Sequence, residues 1–122
     1  MRPVRILIVD DCDLDRLHLS EVARASAGPQ AAIDAVPSFE KAVSAVSGKS
    51  YDLILLDDDL GIGTSAFISV VTLRAAGHES GIIVAGGEPK DKRRDELTRA
   101  GVTEYHAKCD VTPDIVVRAL AA

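Results

Sequence analysis

The chain has no tryptophan, two tyrosines and two phenylalanines among its 122 residues, so aromatics make up only 3% of it. The core must therefore be aliphatic and rich in alanine, and broad stacking surfaces for single-stranded nucleic acid are excluded. Cations are outnumbered, with 14 Lys and Arg against 19 Asp and Glu and a net charge of -5. Phosphate binding needs clustered Lys and Arg, so non-specific DNA affinity is not expected and no direct DNA binding is assigned. No apolar run approaches the length of a membrane span, and Met1-Arg2-Pro3 leads into a strand pattern without the apolar region of a signal peptide. A cytoplasmic location without membrane contact is the expectation. Cys12 and Cys109 are too few and too far apart for a disulfide framework or a zinc spacing, and they read as free thiols. Neither G-x-G-x-x-G nor a Walker loop follows a strand, which sets aside the nucleotide-binding enzymes that rely on them.

What is present is ordinary for a globular chain, with 47% apolar and 27% charged residues. The length suits one domain with one core, spanning 1–122. The stretch that organises the rest is Tyr51 to Gly61, Y-D-L-I-L-L-D-D-D-L-G. Asp52 to Leu56 includes four consecutive large apolar residues, which suits a central parallel strand covered by helices on both faces. The run stops at Asp57, Asp58 and Asp59. Carboxylates crowded there raise one another's pKa, so a cation or cationic side chain is expected beside them.

Arg5 to Val9 is a second apolar burst that ends in acids, Asp10 and Asp11. Asp13 to Ala27 reads as a helix with Asp13 as N-cap, Leu14, Leu17 and Val22 as its apolar stripe, His18 beside that stripe and Gly28-Pro29 as its stop. Ala32 to Val36 is an edge strand closed by Pro37. Ser38 caps a helix with Phe39, Ala42, Val43 and Val46 inward, ending at Gly48. After a Gly61-Ile62-Gly63 turn, Thr64 or Ser65 caps a third helix with Ile68, Val71 and Ala75 inward. Ile82 to Ala85 is the fourth strand. The very polar helix between Pro89 and Gly101 has little besides Leu97 and Ala100 to bury, so its hold on the core should be the loosest. Thr103 to Ala107 is the fifth strand, leading to Lys108. The last helix has Thr112 as N-cap, Pro113 at its first position and Ile115, Val116, Ala119 and Leu120 on one face.

Five strands alternating with five helices imply an α/β fold with a parallel sheet, right-handed crossovers and helices on both faces. Ligands of such folds sit outside the carboxyl ends of the strands. Asp10 and Asp11, Asp57 and Lys108 would all converge there. Clustered carboxylate oxygens suit Mg2+, and a lysine opposite them completes a phosphoryl pocket in which the rigidly held Asp57 is the natural nucleophile. Each Asp taken singly reads as a turn or cap residue; their joint placement favours chemistry.

Over essentially its whole length the chain resembles the receiver domain of two-component response regulators, through I-L-I-V-D-D at 6 to 11, Y-D-L-I-L-L-D at 51 to 57 and G-V-T-E-Y-H-A-K at 101 to 108. The resemblance implies a three-layer α/β/α fold of flavodoxin-like, CheY-like type, with a five-stranded parallel sheet in the order 2-1-3-4-5. It makes Asp57 the phosphoacceptor, Asp10 and Asp11 the acids that hold Mg2+ with it, and Lys108 the ligand of the phosphoryl group. Asp59 falls where a receiver gives a backbone carbonyl to the metal, and Tyr105 at the aromatic switch. The implied partners are a sensor histidine kinase or phosphotransfer protein as donor, and a downstream protein or fused output domain as recipient of the signal. The implied chemistry is phosphoryl uptake and self-dephosphorylation, a signalling role rather than an enzyme's.

The chain departs from that pattern at three places. Gly86 stands where receivers carry a Thr or Ser hydroxyl, Cys109 replaces the proline after the lysine, and Gly61 replaces another proline. A trans Lys108–Cys109 bond or a reshaped loop is expected, since a cis bond at a non-proline costs about 2.5–4 kcal/mol. These departures keep open a phosphate-independent pseudo-receiver that acts by binding a protein. A third reading is a cyclic-dinucleotide binder using Lys90, Lys92, Arg93, Arg94 and Arg99, weighed against a solvated helix face with internal ion pairs. Asp58 and Asp59 read either as solvated rim charge or as tuning of the phosphorylation rate.

Overall fold

Apolar residues on both faces of a strand can be buried only if helices cover both faces, and this requirement shapes the computed structural model, which describes residues 2–61, 65–87 and 91–121. The elements are β1 (Arg5–Val9), α1 (Asp13–Ala27), β2 (Ala32–Val36), α2 (Phe39–Gly48), β3 (Leu53–Asp57), α3 (Ala66–Ala75), β4 (Gly81–Gly86), α4 (Asp91–Arg99), β5 (Glu104–Ala107) and α5 (Pro113–Ala121). A short 3-10 turn, Lys108–Asp110, joins β5 to α5. The sheet is parallel throughout, in the order β2-β1-β3-β4-β5. This is the α/β/α, flavodoxin-like architecture expected from the sequence.

Alternation along the strands splits the core in two. Leu7, Val9, Ile54, Leu56, Ile82, Val84 and Tyr105 face α2, α3 and α4, where they meet Ala42, Val46, Val70, Leu73 and Leu97. Ile6, Ile8, Leu53, Leu55, Ile83 and Ala85 face α1 and α5, where they meet Leu19, Ala23, Val116 and Ala119. All five residues of β3 are buried. Each fully buried leucine there contributes about 1.5–3 kcal/mol of transfer free energy, which makes the central strand a rigid post for the acids at its carboxyl end.

Four helices behave as their sequence suggests, either at a cap or in what they bury. Ser38 caps α2 by accepting from Lys41 N, and Ser65 caps α3 by accepting from Ile68 N. Val116 and Ala119 of α5 are buried, and α4 buries Leu97 alone. Pro89, Thr64 and the Ile62-Gly63 part of the expected turn lie outside the described residues.

Two helices turn a different face inward. In α1 the buried residues are Leu19 and Ala23, with Val22 partly buried against the core as expected, whereas Leu14 is 76% and Leu17 59% exposed, and the N-cap is Cys12, not Asp13. At 3.6 residues per turn, Leu14 and Leu17 lie on the side of the helix away from Leu19. Asp13 pairs instead with Arg16, whose guanidinium also donates to the Asp10 carbonyl. In α3 the buried residues are Ala66, Ser69, Val70 and Leu73, while Ile68, Val71 and Ala75 are exposed. The sequence A-F-I-S-V-V-T-L-R-A is apolar almost all round, so it carries no polar face to show which side is out. Strand ends differ by a residue: β3 runs through Asp57, β4 includes Gly81 and Gly86, and β5 begins at Glu104.

Candidate functional site

Parallel pairing of β1 and β3 sets Val9 opposite Leu56, so Asp10 and Asp57 leave the sheet side by side. Asp10 is completely buried and Asp57 nearly so, while Asp11 is exposed. One carboxylate oxygen from each of Asp10, Asp11 and Asp57 lies within 4.8 Å of the others. The backbone holds two of these groups in place: Asp10 Oδ1 accepts from Cys12 N at 2.9 Å, and Asp57 Oδ1 accepts from Asp59 N at 3.1 Å.

Lys108 enters from the end of β5, two strands away from Asp57. Its ammonium lies 3.0 Å from Asp10 Oδ2 and 3.4 Å from Asp57 Oδ1. It donates a hydrogen bond to Asp15 Oδ2 at 2.8 Å. The approach to Asp10 is an ion pair without hydrogen-bond alignment, so the buried Oδ2 of Asp10 has no directed donor. Among the described residues no peptide bond is cis, so the Lys108–Cys109 bond is trans, and the 3-10 turn takes up the change of direction there.

Burial pushes the Asp57 carboxyl up to about 7; the Asp59 N–H works against this, the Asp10 charge adds to it and Lys108 opposes it. Burial also disfavours the charge on Lys108, but the hydrogen bond to Asp15 and the close negative charges of Asp10 and Asp57 outweigh it and hold the ammonium's pKa above its ordinary value. The Asp15 carboxyl is lowered chiefly by its hydrogen bond to Lys108. One ammonium thus faces three carboxylates, Asp10, Asp15 and Asp57, with Asp11 beside them, and the site is short of positive charge. The unsatisfied buried oxygen of Asp10 and the hard oxygen donors around it fit a divalent cation such as magnesium.

Asp59 does not join this cluster with its side chain, which is exposed and accepts from Gly61 N at 3.1 Å. Asp58 is not a solvated rim charge. Its Oδ2 accepts from the Tyr105 hydroxyl at 2.9 Å and its Oδ1 from Arg93 at 2.6 Å. Arg94 donates to the Tyr105 carbonyl at 2.8 Å and stacks 5.2 Å over the ring. At Gly86 an added Cβ would stand 3.0 Å from both Cβ and Oδ2 of Asp58. The Asp58 side chain therefore occupies the space that a residue larger than glycine would need.

Asp15 and the Asp58–Tyr105 pair were not legible as contacts. The available signals were an acid on the first helical turn after Asp10-Asp11, and an extra acid facing a glycine at the next strand's end. Of the cations considered for an anionic ligand, Arg93 and Arg94 are engaged within the chain, and Lys90 lies outside the described residues. Both cysteines are free and exposed. Among the described residues no helix is long and apolar enough to cross a membrane.

No protein-family model matches the chain, and no curated protein does. Solved structures do. Chemotaxis protein CheY4 of Vibrio cholerae superposes with a TM-score of 0.80 at 17% identity, covering 98% of this chain and 97% of that one. The signal receiver domain of the putative response regulator NarL of Mycobacterium tuberculosis gives 0.79 at 17% identity, covering 99% and 95%. The receiver domain of a sensor histidine kinase of Pseudomonas aeruginosa, with magnesium coordinated in its active-site cleft, gives 0.79 at 21% identity, covering 98% and 99%. The chain has the fold of CheY-like response-regulator receiver domains.

Proposed function

We propose that the chain is a phosphoacceptor receiver module that takes a phosphoryl group onto Asp57 and signals through a protein partner. The observation that carries this reading is the meeting of Asp10, Asp11 and Asp57 within 4.8 Å of one another, with the Lys108 ammonium 3.4 Å from Asp57. Asp57 stands on the most buried strand and cannot swing away, as an in-line attack on phosphorus requires.

In this reading Asp57 attacks the phosphorus of a phosphohistidine on a sensor kinase or phosphotransfer protein. The new bond is P–O to Asp57, the bond broken is P–N, and the imidazole leaves with its electron pair. Lys108 neutralises charge on the transferred group as a point charge. Asp10, Asp11 and Asp57 would hold Mg2+, which supplies charge neutralisation at the phosphoryl oxygens. The Asp57 carboxyl, pushed up to about 7 by burial, has to be ionised to attack, so the added positive charge also favours the reactive form. Loss of the group is hydrolysis of the acyl phosphate by water. The domain assignment to residues 1–122 and a cytoplasmic location belong to the same proposal.

Intact mass after incubation with Mg2+ and acetyl phosphate tests it. A gain of one phosphoryl group, lost in Asp57→Asn, is expected; no gain from either acetyl phosphate or a kinase donor would refute the reading. It would leave the phosphate-independent module, which the internal bonding of Tyr105 to Asp58 favours.

A further inference from the structure

We infer that Asp58 is a positioning residue that fixes Tyr105 and α4 in place before any phosphoryl group arrives, with Gly86 supplying the space for its carboxylate. The relation to Asp57 rests on the function proposed above; the tether itself does not. Asp58 comes directly after the acceptor and its backbone N–H donates to Ala85 O at 2.9 Å, which anchors it between β3 and β4. From there the carboxylate reaches β5 through the Tyr105 hydroxyl and α4 through Arg93.

The two bonds are unequal. Arg93 is 44% exposed, so its ion pair is screened by solvent and holds α4 only weakly. Tyr105 is 3% exposed and the Asp58 side chain 13%, so their bond is charge-assisted and sheltered. Tyr105 in turn carries Arg94, both at its carbonyl and over its ring. Since α4 buries Leu97 alone, this polar chain supplies much of what orients the helix. The glycine is part of the device. A Cβ at Gly86 would press on both Cβ and Oδ2 of Asp58 at 3.0 Å, so any larger residue there must displace the carboxylate that accepts from Tyr105.

The setting of α4 and β5 is thus built into the unphosphorylated chain and does not wait for Asp57. A phosphoryl group on Asp57 has no side-chain hydroxyl at Gly86 to draw in, and the Tyr105 hydroxyl is already bonded.

Amide hydrogen exchange over α4 and β5, together with the NMR signal of the Tyr105 ring, tests this in wild type, Asp58→Ala and Asp58→Asn. Asp58→Asn keeps the volume and guards against a mere folding failure. Each protein is measured alone and with Mg2+ and beryllofluoride. Without ligand, both variants should shift the Tyr105 signal and speed exchange in α4 and β5 by about tenfold, with β1 and α1 unchanged. With beryllofluoride bound at the Asp10–Asp57 rim, the wild type should keep its α4 exchange rates within about twofold. Unchanged α4 and Tyr105 in the variants, or acceleration spread evenly over β1 and α1, would overturn the tether. A large change in wild-type α4 on beryllofluoride binding would overturn its being set in advance. Failure of beryllofluoride to bind at all would count against the phosphoacceptor function, and the ligand-free comparison would still decide the tether.

Discussion

Lys108 donates its hydrogen bond to Asp15, at 2.8 Å, and only approaches Asp57, at 3.4 Å. The lysine to which the proposed function gives the phosphoryl group is held by a carboxylate on the first turn of α1. Asp15 is 42% exposed, so this bond is weaker than a buried one and is worth about 1 kcal/mol. Freeing the ammonium by Asp15→Ala should strengthen its engagement with an anion at Asp57 by about fivefold. Titrating Mg2+-loaded protein with beryllofluoride measures this; equal binding by the variant would show that Asp15 does not restrain the lysine, and weaker binding that it assists it.

The Asp57 carboxyl gives a second prediction through its proton. Burial raises it from 3.8 to about 7 in the folded chain. Between those values the folded state holds the proton more tightly than the unfolded one, so stability must fall as pH rises. The contribution is complete below 3.8 and is lost as pH passes about 7. His78 works the other way: burial lowers it from 6.5, so the folded chain gains stability as pH rises toward that value. Comparing wild type with Asp57→Asn cancels His78. In Mg2+-free urea titrations, Asp57→Asn should gain on the wild type between about pH 5 and about pH 7.5, by an amount on the order of 1–3 kcal/mol. Added Mg2+ should shrink that gain at the higher pH by binding the native wild type. Parallel pH profiles of the two proteins would mean that Asp57 is not raised.

Gly86 gives a third, from packing. Ala at this position would place Cβ at 3.0 Å from two atoms of Asp58, one of which is the Cβ and cannot rotate away. Overpacking of this kind costs about 1–3 kcal/mol, and a Thr should cost at least as much. Restoring a hydroxyl here by one substitution therefore comes at a cost in stability. A urea midpoint for Gly86→Ala equal to that of the wild type would show that β3 and β4 can part without cost.

How much of this was legible in the sequence depends on how local the cause was. The strands announce themselves because the apolar runs at Arg5–Val9 and Leu53–Asp57 each end in acids, and parallel alternation alone brings Asp10, Asp57 and Lys108 to one rim. The trans bond at Lys108 could be argued from the cost of the cis form. Asp58 could not be placed, because its role depends on α4 and β5 lying within reach, 35 and 47 residues along the chain. Asp15 was missed because only the tertiary approach of Lys108, 93 residues away, gives it a partner. The inward faces of α1 and α3 were misread for a related reason. Leu14, Leu17, Ile68 and Val71 are apolar, but small residues such as Ala23 and Ala66 let those helices sit close to the sheet.

That misreading supplies the fourth prediction. If Leu14 and Leu17 lined the core, polar substitutions there would each cost several kcal/mol. At 76% and 59% exposure they are surface residues, so Leu14→Gln and Leu17→Gln should each move stability by no more than about 0.5 kcal/mol. Leu19→Ala, from a completely buried side chain, should cost about 2–5 kcal/mol through lost transfer energy and the cavity it leaves. Urea denaturation of the three variants separates the two arrangements of α1. A large loss in either glutamine variant would mean that the helix is turned by nearly half a revolution from the position described. The Lys108–Asp15 bond would then go with it, because Asp15 lies on the same turn as Leu14.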